Sequence, residues 1–265
     1  MIFLLEPFAS AWNLKDPFLE VTKIEGEIYR QVATRRTLKF VFDKETFYIK
    51  IHRGTSICEI IKNLISFRLP VIGARSEFNA VKHLHELGIN TLDVVAFGEK
   101  GINPLNKESF IITKNINPSI SLEDYCQNWK NSPPLYTEKK ALIEEVAKMV
   151  RTMHTGGINH RDCYICHFLL QLPYSNVSSP KLHIIDLHRA QIRNKVPRRW
   201  RDKDLIGLYY SSLEIGLNDR DYLRFLKVYF FGERLKNIFK REKKLIEQSV
   251  NKAQKIKERT IRKGL

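Results

Sequence analysis

The sequence lacks any hydrophobic run long enough to cross a membrane. The nearest candidate, YLRFLKVYFF over residues 222–231, is interrupted by Arg224 and Lys227, whereas a spanning helix needs roughly 18 apolar residues in a row. The opening MIFLLEPF has a short apolar run, no basic residue before it, and Glu6 and Pro7 directly behind it. It therefore fails as a signal peptide, and we predict a protein that is not exported and is soluble or peripheral on a membrane.

Cysteine is scarce, and the chain has no obvious disulfide framework. The four cysteines are Cys58, Cys126, Cys163 and Cys166. In a chain without an export signal we expect them to be reduced thiols.

The segment HRDCYICHF, residues 160–168, permits three interpretations. Its C-x-x-C-H pattern matches covalent haem attachment, although such haem normally belongs to exported or organellar proteins. The two cysteines with His160 and His167 suggest zinc, although no second pair of ligands completes a four-ligand structural site. The H-R-D motif ending at Asp162 is typical of a kinase catalytic loop. The rest of the chain must decide between these three sites.

Acidic residues are few relative to basic ones. The 45 Lys and Arg against 29 Asp and Glu give a net charge of +16, which indicates a polyanionic partner rather than a particular fold. A nucleic acid is one candidate, but no aromatic residues alternate with the basic ones in a recognised RNA-binding motif. A basic nucleic-acid-binding protein is therefore an alternative supported by charge alone.

The first part of the chain is rich in β-strand patterns. Three runs of this kind are followed by one amphipathic helix and by two more strands that end near residue 116. They predict an antiparallel sheet with one helix. In chain order the predicted elements cover residues 27–35, 36–43, 46–52, 75–88, 94–101 and 109–116.

The second part of the chain is mostly helical. Ser121 and Asp124 form a capping pair at the start of one helix, and the clearest helix covers residues 138–157 and ends in two glycines. We predict an α+β fold of two lobes, with a β-rich N-terminal lobe over 1–116 and a mainly helical C-terminal lobe over 117–265. Ligands often bind where two lobes meet.

Two charged residues occupy positions that the patterns predict to be apolar. Lys50 lies mid-strand among aromatic and aliphatic residues, and Glu77 falls on the apolar stripe of its helix. Burying either charge alone is costly, so pairing them is one solution. The alternative is that Lys50 extends its ammonium to water and Glu77 points to solvent.

Two aspartates are predicted to meet at one edge of a hairpin. Asp162 precedes the apolar strand Phe168-Leu169-Leu170, and Asp186 ends the strand KLHIID that follows the turn PYSNVSSP. One carboxylate at such an edge suits orienting a hydroxyl nucleophile, and the other suits holding Mg²⁺ on a nucleotide phosphate.

The order of these residues resembles the protein-kinase-like fold over nearly the whole chain. More closely, EPFASAWNLKDPF, HRGT, INHRDCYICHFLL, IIDLHRAQ and VPRRWRDKDLIGLYYSS resemble the lipopolysaccharide core heptose kinases of Gram-negative bacteria. The resemblance covers the chain from end to end. It favours the catalytic-loop interpretation of HRDCYICHF, with the two cysteines as packing residues.

The resemblance implies a role for each candidate residue. Asp162 matches the catalytic aspartate, Lys50 and Glu77 match the pair that binds the nucleotide, and Asp186 matches the metal-binding aspartate. His167 stands where protein kinases usually have an asparagine for a second metal ion. D-L-H replaces D-F-G, and no G-x-G-x-x-G precedes Lys50, so the basic turn Ala33-Thr34-Arg35-Arg36 is a candidate cover for the phosphates.

The resemblance also implies substrates, partners and a location. It implies ATP and Mg²⁺, transfer to position 4 of the first heptose of the inner core on lipid A, and no nucleic-acid partner. It further implies association with acylated acyl carrier protein and a cytoplasmic location, peripheral on the inner face of the inner membrane. A catalytically silent pseudokinase scaffold is an alternative, although both aspartates and the lysine are present.

Two basic segments fit such an anionic acceptor or membrane. The segment VPRRWRDK places Arg198, Arg199, Arg201 and Lys203 shortly after Asp186, where we expect contacts with phosphates and carboxylates. The tail over 234–263 has 12 Lys and Arg against 3 Glu. It is either a basic amphipathic helix on an anionic membrane or a helix packed on the C-terminal lobe.

Overall fold

The structure is a computed structural model that describes residues 1–32, 34–54, 73–103, 105–174 and 179–262. Several positions discussed above lie outside the described residues: Ala33, Thr55 of the HRGT motif, Cys58, and residues 175–178 of the predicted turn. The side chains at 32, 253 and 256–262 lie outside them too.

Within the described residues, the chain forms eleven strands and nine α-helices. The strands β1 to β11 are Ile2–Leu4, Glu27–Val32, Arg35–Phe42, Glu45–Arg53, Val94–Lys100, Glu108–Lys114, Ser119–Ser121, Ile158–Asn159, Phe168–Gln171, Leu182–Ile184 and Gln191–Ile192. The helices α1 to α9 are Phe8–Ala11, Pro17–Glu20, Arg75–Glu86, Leu122–Cys126, Tyr136–Thr155, Arg198–Ser211, Asp219–Tyr229, Leu235–Arg241 and Lys243–Arg262. Turns of 3-10 helix lie at Val21–Lys23, Ile165–His167 and Leu187–Arg189.

The described chain divides into two compact units. The first comprises Met1–His83, Thr91–Ile116 and Leu187–Arg189. The second comprises Leu84–Asn90, Asn117–Asp186 and Ala190–Leu265.

The first unit is built on one antiparallel sheet of six strands in the order β1-β5-β6-β4-β3-β2. The predicted meander is present as β2, β3 and β4, and α3 begins and ends close to the predicted helix. The edge strand β1 was not predicted; it pairs with β5, with Phe3 opposite Phe97. Alternation along the strands places Phe47, Ile49 and Phe110 in a core that α1 covers with Phe8.

The second unit combines short strands with the remaining helices. Helix α5 buries the predicted stripe, which includes Leu142, Val146, Val150 and Met153. Ser121 caps α4 by accepting the backbone N–H of Asp124, as its spacing predicts. The predicted hairpin is β9 paired antiparallel with β10, and a third strand, β7, pairs with β9.

The basic tail forms α8 and α9, and its first part packs within the second unit. Ile238 and Leu245 are buried, and Glu242 between them is only 1% exposed. Its carboxylate accepts hydrogen bonds from Arg198, Arg201 and Arg241. The alternative in which the tail packs on the lobe is therefore correct for this part of the tail.

No helix among the described residues is long and apolar enough to cross a membrane.

Candidate active site

Lys50 and Glu77 form a buried ion pair in the first unit. Lys50 lies at the centre of β4, with Thr37 of β3 and Ile111 of β6 as its cross-strand neighbours. Its Nζ lies 2.7 Å from Oε1 of Glu77 in the first turn of α3. The side chains are 18% and 1% exposed, so each charge compensates the burial of the other. The predicted pairing is therefore present.

His52 lies two residues after Lys50, on the same face of β4. Arg35 of β3 stands opposite it in the sheet. The imidazole is 7% exposed, and its Nε2 has no hydrogen-bond partner. Burial, and then the neighbouring Arg35, Lys50 and His188, lower the pKa of His52 to about 3. This face of the sheet therefore carries two cations beside a neutral histidine.

Two residues of the basic turn predicted over 33–36 lie in a strand instead. Arg35 and Arg36 belong to β3, where they pair with His52 and Ile51 of β4. The Nε atoms of both arginines are buried without a hydrogen-bond partner. The two arginines are thus strand residues with partly buried guanidinium groups. In a solvated turn these groups would be exposed to water.

In the second unit, Asp204 of α6 holds the backbone directly before Asp162. Its two carboxylate oxygens accept the N–H groups of His160, at 2.6 Å, and Arg161, at 2.7 Å. Asp204 is fully buried, and charge-assisted hydrogen bonds of this kind are short and strong. The sequence pattern around Asp204 gives it no role, because within RRWRDKDL it has the pattern of one more charged surface residue.

Asp204 is also connected to the helices around it. His154, in the last turn of α5, lies with Nε2 at 3.3 Å from its carboxylate and with Nδ1 at 2.7 Å from the hydroxyl of Tyr229 in α7. His154 and Tyr229 are both 6% exposed. The backbone before Asp162 is therefore fixed by a buried polar network that reaches three helices.

His160 connects the same loop to the strand before Asp186. Its Nε2 donates to the carbonyl of Ile185 at 2.9 Å, and burial lowers its pKa, so the ring is neutral. Arg161 and Asp186 have positive φ angles of 75° and 61°. Residues other than glycine adopt this conformation at a cost, and such strain concentrates at functional sites.

His167 lies between the two predicted aspartates. Its Nδ1 is 2.7 Å from the carbonyl oxygen of Asp162, and its Nε2 is 3.7 Å from Oδ2 of Asp186. Its ring stacks on that of His160, with centroids 5.4 Å apart. In the hairpin Phe168 pairs with Ile184, so the segments carrying Asp162 and Asp186 flank the same end. The structure thus brings Asp162, His167 and Asp186 together.

Cys163 and Cys166 are free cysteines with packing environments. Burial raises the pKa of Cys163 well above its ordinary value and that of Cys166 to about 11, which favours thiols over the thiolates that ligate metals. Among the described residues no group of three or more His, Cys, Asp or Glu is arranged to hold a metal ion.

The second unit also contains an apolar cavity of about 480 Å³. Helices α4 to α9 all contribute to its lining, which includes Leu122, Leu142, Leu205, Leu226 and Phe239. Its volume and apolar lining are those of a small-molecule site.

Comparison with known proteins assigns the family. The family model described as Lipopolysaccharide kinase (Kdo/WaaP) family matches residues 20–229. A protein of Escherichia coli named Lipopolysaccharide core heptose(I) kinase WaaP is 57% identical over 266 residues, covering 100% of both chains. A protein of the same name from Pseudomonas aeruginosa is 47% identical, covering 99% of this chain and 98% of its own.

A solved structure described as WaaP in complex with acyl carrier protein has a TM-score of 0.86. It is 42% identical and covers 96% of this chain and 98% of its own. These matches confirm the predicted α+β, protein-kinase-like fold and the resemblance to lipopolysaccharide core heptose kinases. With a family model matched over most of its length and relatives matched end to end, the chain belongs to the lipopolysaccharide kinase (Kdo/WaaP) family.

Proposed function

We propose that this chain is an ATP-dependent kinase that phosphorylates position 4 of the first heptose of the lipopolysaccharide inner core, on an acceptor that carries lipid A. The observation that carries the proposal is the loop around Asp162, which Asp204 fixes and His167 joins to Asp186. The family membership and the names of the relatives supply the substrate class.

Asp162 is the proposed catalytic residue. A carboxylate held at a fixed position accepts the proton of the attacking hydroxyl and orients its oxygen toward the phosphorus. The hydrogen bonds of Asp204 to the two preceding backbone N–H groups support this role, because they leave little freedom at residue 162. Precise positioning supplies a large share of the rate in phosphoryl transfer.

Lys50 and Glu77 are the proposed nucleotide-binding pair. The ammonium of Lys50 neutralises phosphate charge, and Glu77 keeps that ammonium in one orientation. The 2.7 Å contact and the burial of Glu77 support the second part, because a buried carboxylate keeps its partner.

Asp186 and His167 are the proposed residues that would hold a divalent metal ion. Of the two, the carboxylate of Asp186 is the kind of oxygen ligand through which Mg²⁺ is commonly bound. A carbonyl oxygen only accepts, so Nδ1 of His167 carries the proton and Nε2 presents a lone pair on the side of Asp186. When bound, Mg²⁺ neutralises charge on the transferred phosphoryl group.

Acyl carrier protein is a proposed partner in its acylated form. The relative whose structure is solved is in complex with acyl carrier protein. The cavity of about 480 Å³ in this chain has the apolar lining that a fatty acyl chain requires. We expect acylated carrier protein to raise the melting temperature of the chain, and unacylated carrier protein, as the matched control, to raise it far less.

The net charge of +16 supports a peripheral position on the anionic inner face of the inner membrane. Sedimentation with vesicles tests this proposal. We expect binding to vesicles that contain anionic lipid and none to vesicles of neutral lipid alone.

Phosphate transfer itself is tested with ATP, Mg²⁺ and heptose-bearing core lipid. We expect one added phosphate by mass spectrometry, located on position 4 of the heptose by NMR. A variant in which Asp162 becomes Asn is the matched control, since it keeps the size of the side chain. Absence of transfer by a folded wild-type protein contradicts the proposed function.

A further inference from the structure

Trp200, at the start of α6, is surrounded by four cationic side chains. The guanidinium groups of Arg161 and Arg199 each lie 4.9 Å from the centre of its ring. The guanidinium of Arg193 and the ammonium of Lys203 each lie 5.8 Å from it. These four residues are called the cationic cluster below.

The attraction of the ring for cations accounts for only part of this arrangement. Each cation gains from the face of an indole, but the ring has two faces and the cluster has four positive charges. All four lie within 6 Å of one point, so no two are more than about 12 Å apart, and at physiological salt, with a Debye length of about 8 Å, they still repel one another. Arg199 also lies in the first turn of α6, where the helix dipole disfavours a cation.

Two carboxylates of α6 face other groups. Asp202 pairs with Arg198 and Arg201, and Asp204 accepts from the backbone before Asp162. Two of the four basic residues predicted to contact the acceptor, Arg198 and Arg201, also pair with Glu242. Of that predicted group, Arg199 and Lys203 remain on the side of Trp200.

The cluster is joined to the catalytic loop. Arg161 directly precedes Asp162 and is 7% exposed. Arg193 donates to the side chain of Asn159, on the strand β8 that leads into the loop. Arg199 is exposed, so the cluster extends from the loop to solvent.

We propose that the cationic cluster binds the acidic groups of the sugar acceptor, carboxylate or phosphate, next to the hydroxyl that is phosphorylated. The inference rests on the proposed function and assigns the acceptor-binding residues. With its guanidinium over the Trp200 ring, exposed Arg199 can form paired hydrogen bonds with such oxygens through the N–H groups in the guanidinium plane. Trp200 therefore serves as a rigid support for the anion site.

The test measures binding of a delipidated core oligosaccharide that carries heptose and acidic sugars. Arg199→Gln with Lys203→Gln removes two charges from the cluster. Arg220→Gln with Lys236→Gln removes two charges from exposed positions elsewhere in the second unit and is the matched control. Calorimetry at low and physiological salt gives Kd for each protein, and binding of ADP provides a second readout.

We expect the cluster variant to raise Kd for the oligosaccharide about tenfold or more, since charge-assisted hydrogen bonds are lost. The control should change it less than about twofold, and neither variant should alter ADP binding. In turnover assays the cluster variant should raise KM for the acceptor and leave KM for ATP unchanged. If its melting temperature falls, Arg199→Gln alone, at an exposed position, provides the comparison.

Carboxyl-reduced and phosphatase-treated oligosaccharides identify the anion. Weaker binding of the first assigns carboxylates, and weaker binding of the second assigns phosphates. Unchanged binding of both treated forms, equal effects of cluster and control variants, or no binding to the wild-type protein overturns the inference. Phosphate transfer by the wild-type protein decides the proposed function separately, because binding and transfer are measured independently.

Discussion

Removing either member of the Lys50–Glu77 pair should destabilise the protein, but by different amounts. Lys50→Ala leaves a carboxylate that is 1% exposed and whose Oε2 already has no hydrogen-bond partner. Removing one partner of such a buried pair costs about 3 to 5 kcal/mol. Glu77→Ala leaves an ammonium that is 18% exposed and can extend toward water. We expect that change to cost about 1 to 3 kcal/mol.

Urea unfolding of the two single variants and the double variant at pH 7 measures these differences. The double variant should be more stable than the sum of the single losses predicts, because neither charge is then left alone. The exposed pair Lys114–Glu45, in the same sheet, is the matched control. Alanine at either of its positions should cost less than about 1 kcal/mol.

Turnover gives a second test of the same pair. If Glu77 acts by orienting Lys50, the double variant should be little slower than the slower single variant. We infer from the exposures of the two side chains that Lys50→Ala lowers the free energy of unfolding more than Glu77→Ala does. Equal losses would refute this inference. Strictly multiplicative losses of turnover, in folded variants, would mean that the two side chains act independently.

Three further changes test other parts of the site. Asp162→Asn should abolish phosphate transfer without lowering the melting temperature, and near wild-type turnover would contradict its role. Cys163→Ser with Cys166→Ser should keep appreciable activity, and metal analysis of the wild-type protein should find no stoichiometric zinc or iron; loss of a bound metal on substitution would restore the zinc interpretation. His52 has its pKa lowered to about 3, so below pH 6.5 the unfolded chain binds the extra proton and stability falls as the pH drops toward 3. The burial of neutral His52 should lower the free energy of unfolding by about 1.6 kcal/mol between pH 6.5 and 5. His52→Gln should remove that loss in urea unfolding, and an unchanged pH dependence would contradict this expectation.

Much of the fold follows from periodicity in the sequence. The strands β2 to β6 and the helix α5 have clear alternating or helical patterns, and the structure places each within a few residues of its prediction. The Lys50–Glu77 pair was predictable for a related reason. A charge on an apolar stripe needs a counter-charge, and each of these residues broke the pattern of its own element.

The missed elements carry little local signal. The strand β1 has three residues, and its pairing with β5 joins segments more than ninety positions apart. Asp204 lies among charged neighbours in RRWRDKDL, and its partners His160 and Arg161 are 44 and 43 positions away. Only the folded chain shows that its carboxylate faces inward.

Distance along the chain also explains why HRDCYICHF fitted three kinds of site. Haem attachment is recognised from ligands inside one short segment, so such a segment satisfies its pattern without help from the rest of the chain. A kinase loop depends on distant partners. The ring of His160 bonds to Ile185, 25 positions away, and the backbone before Asp162 bonds to Asp204. These contacts are made by the ring of His160 and by the backbone of the segment. The two thiols take no part in them and pack in their surroundings. The partners at 185 and 204, rather than the spacing within the segment, therefore favour the catalytic-loop interpretation over a metal motif.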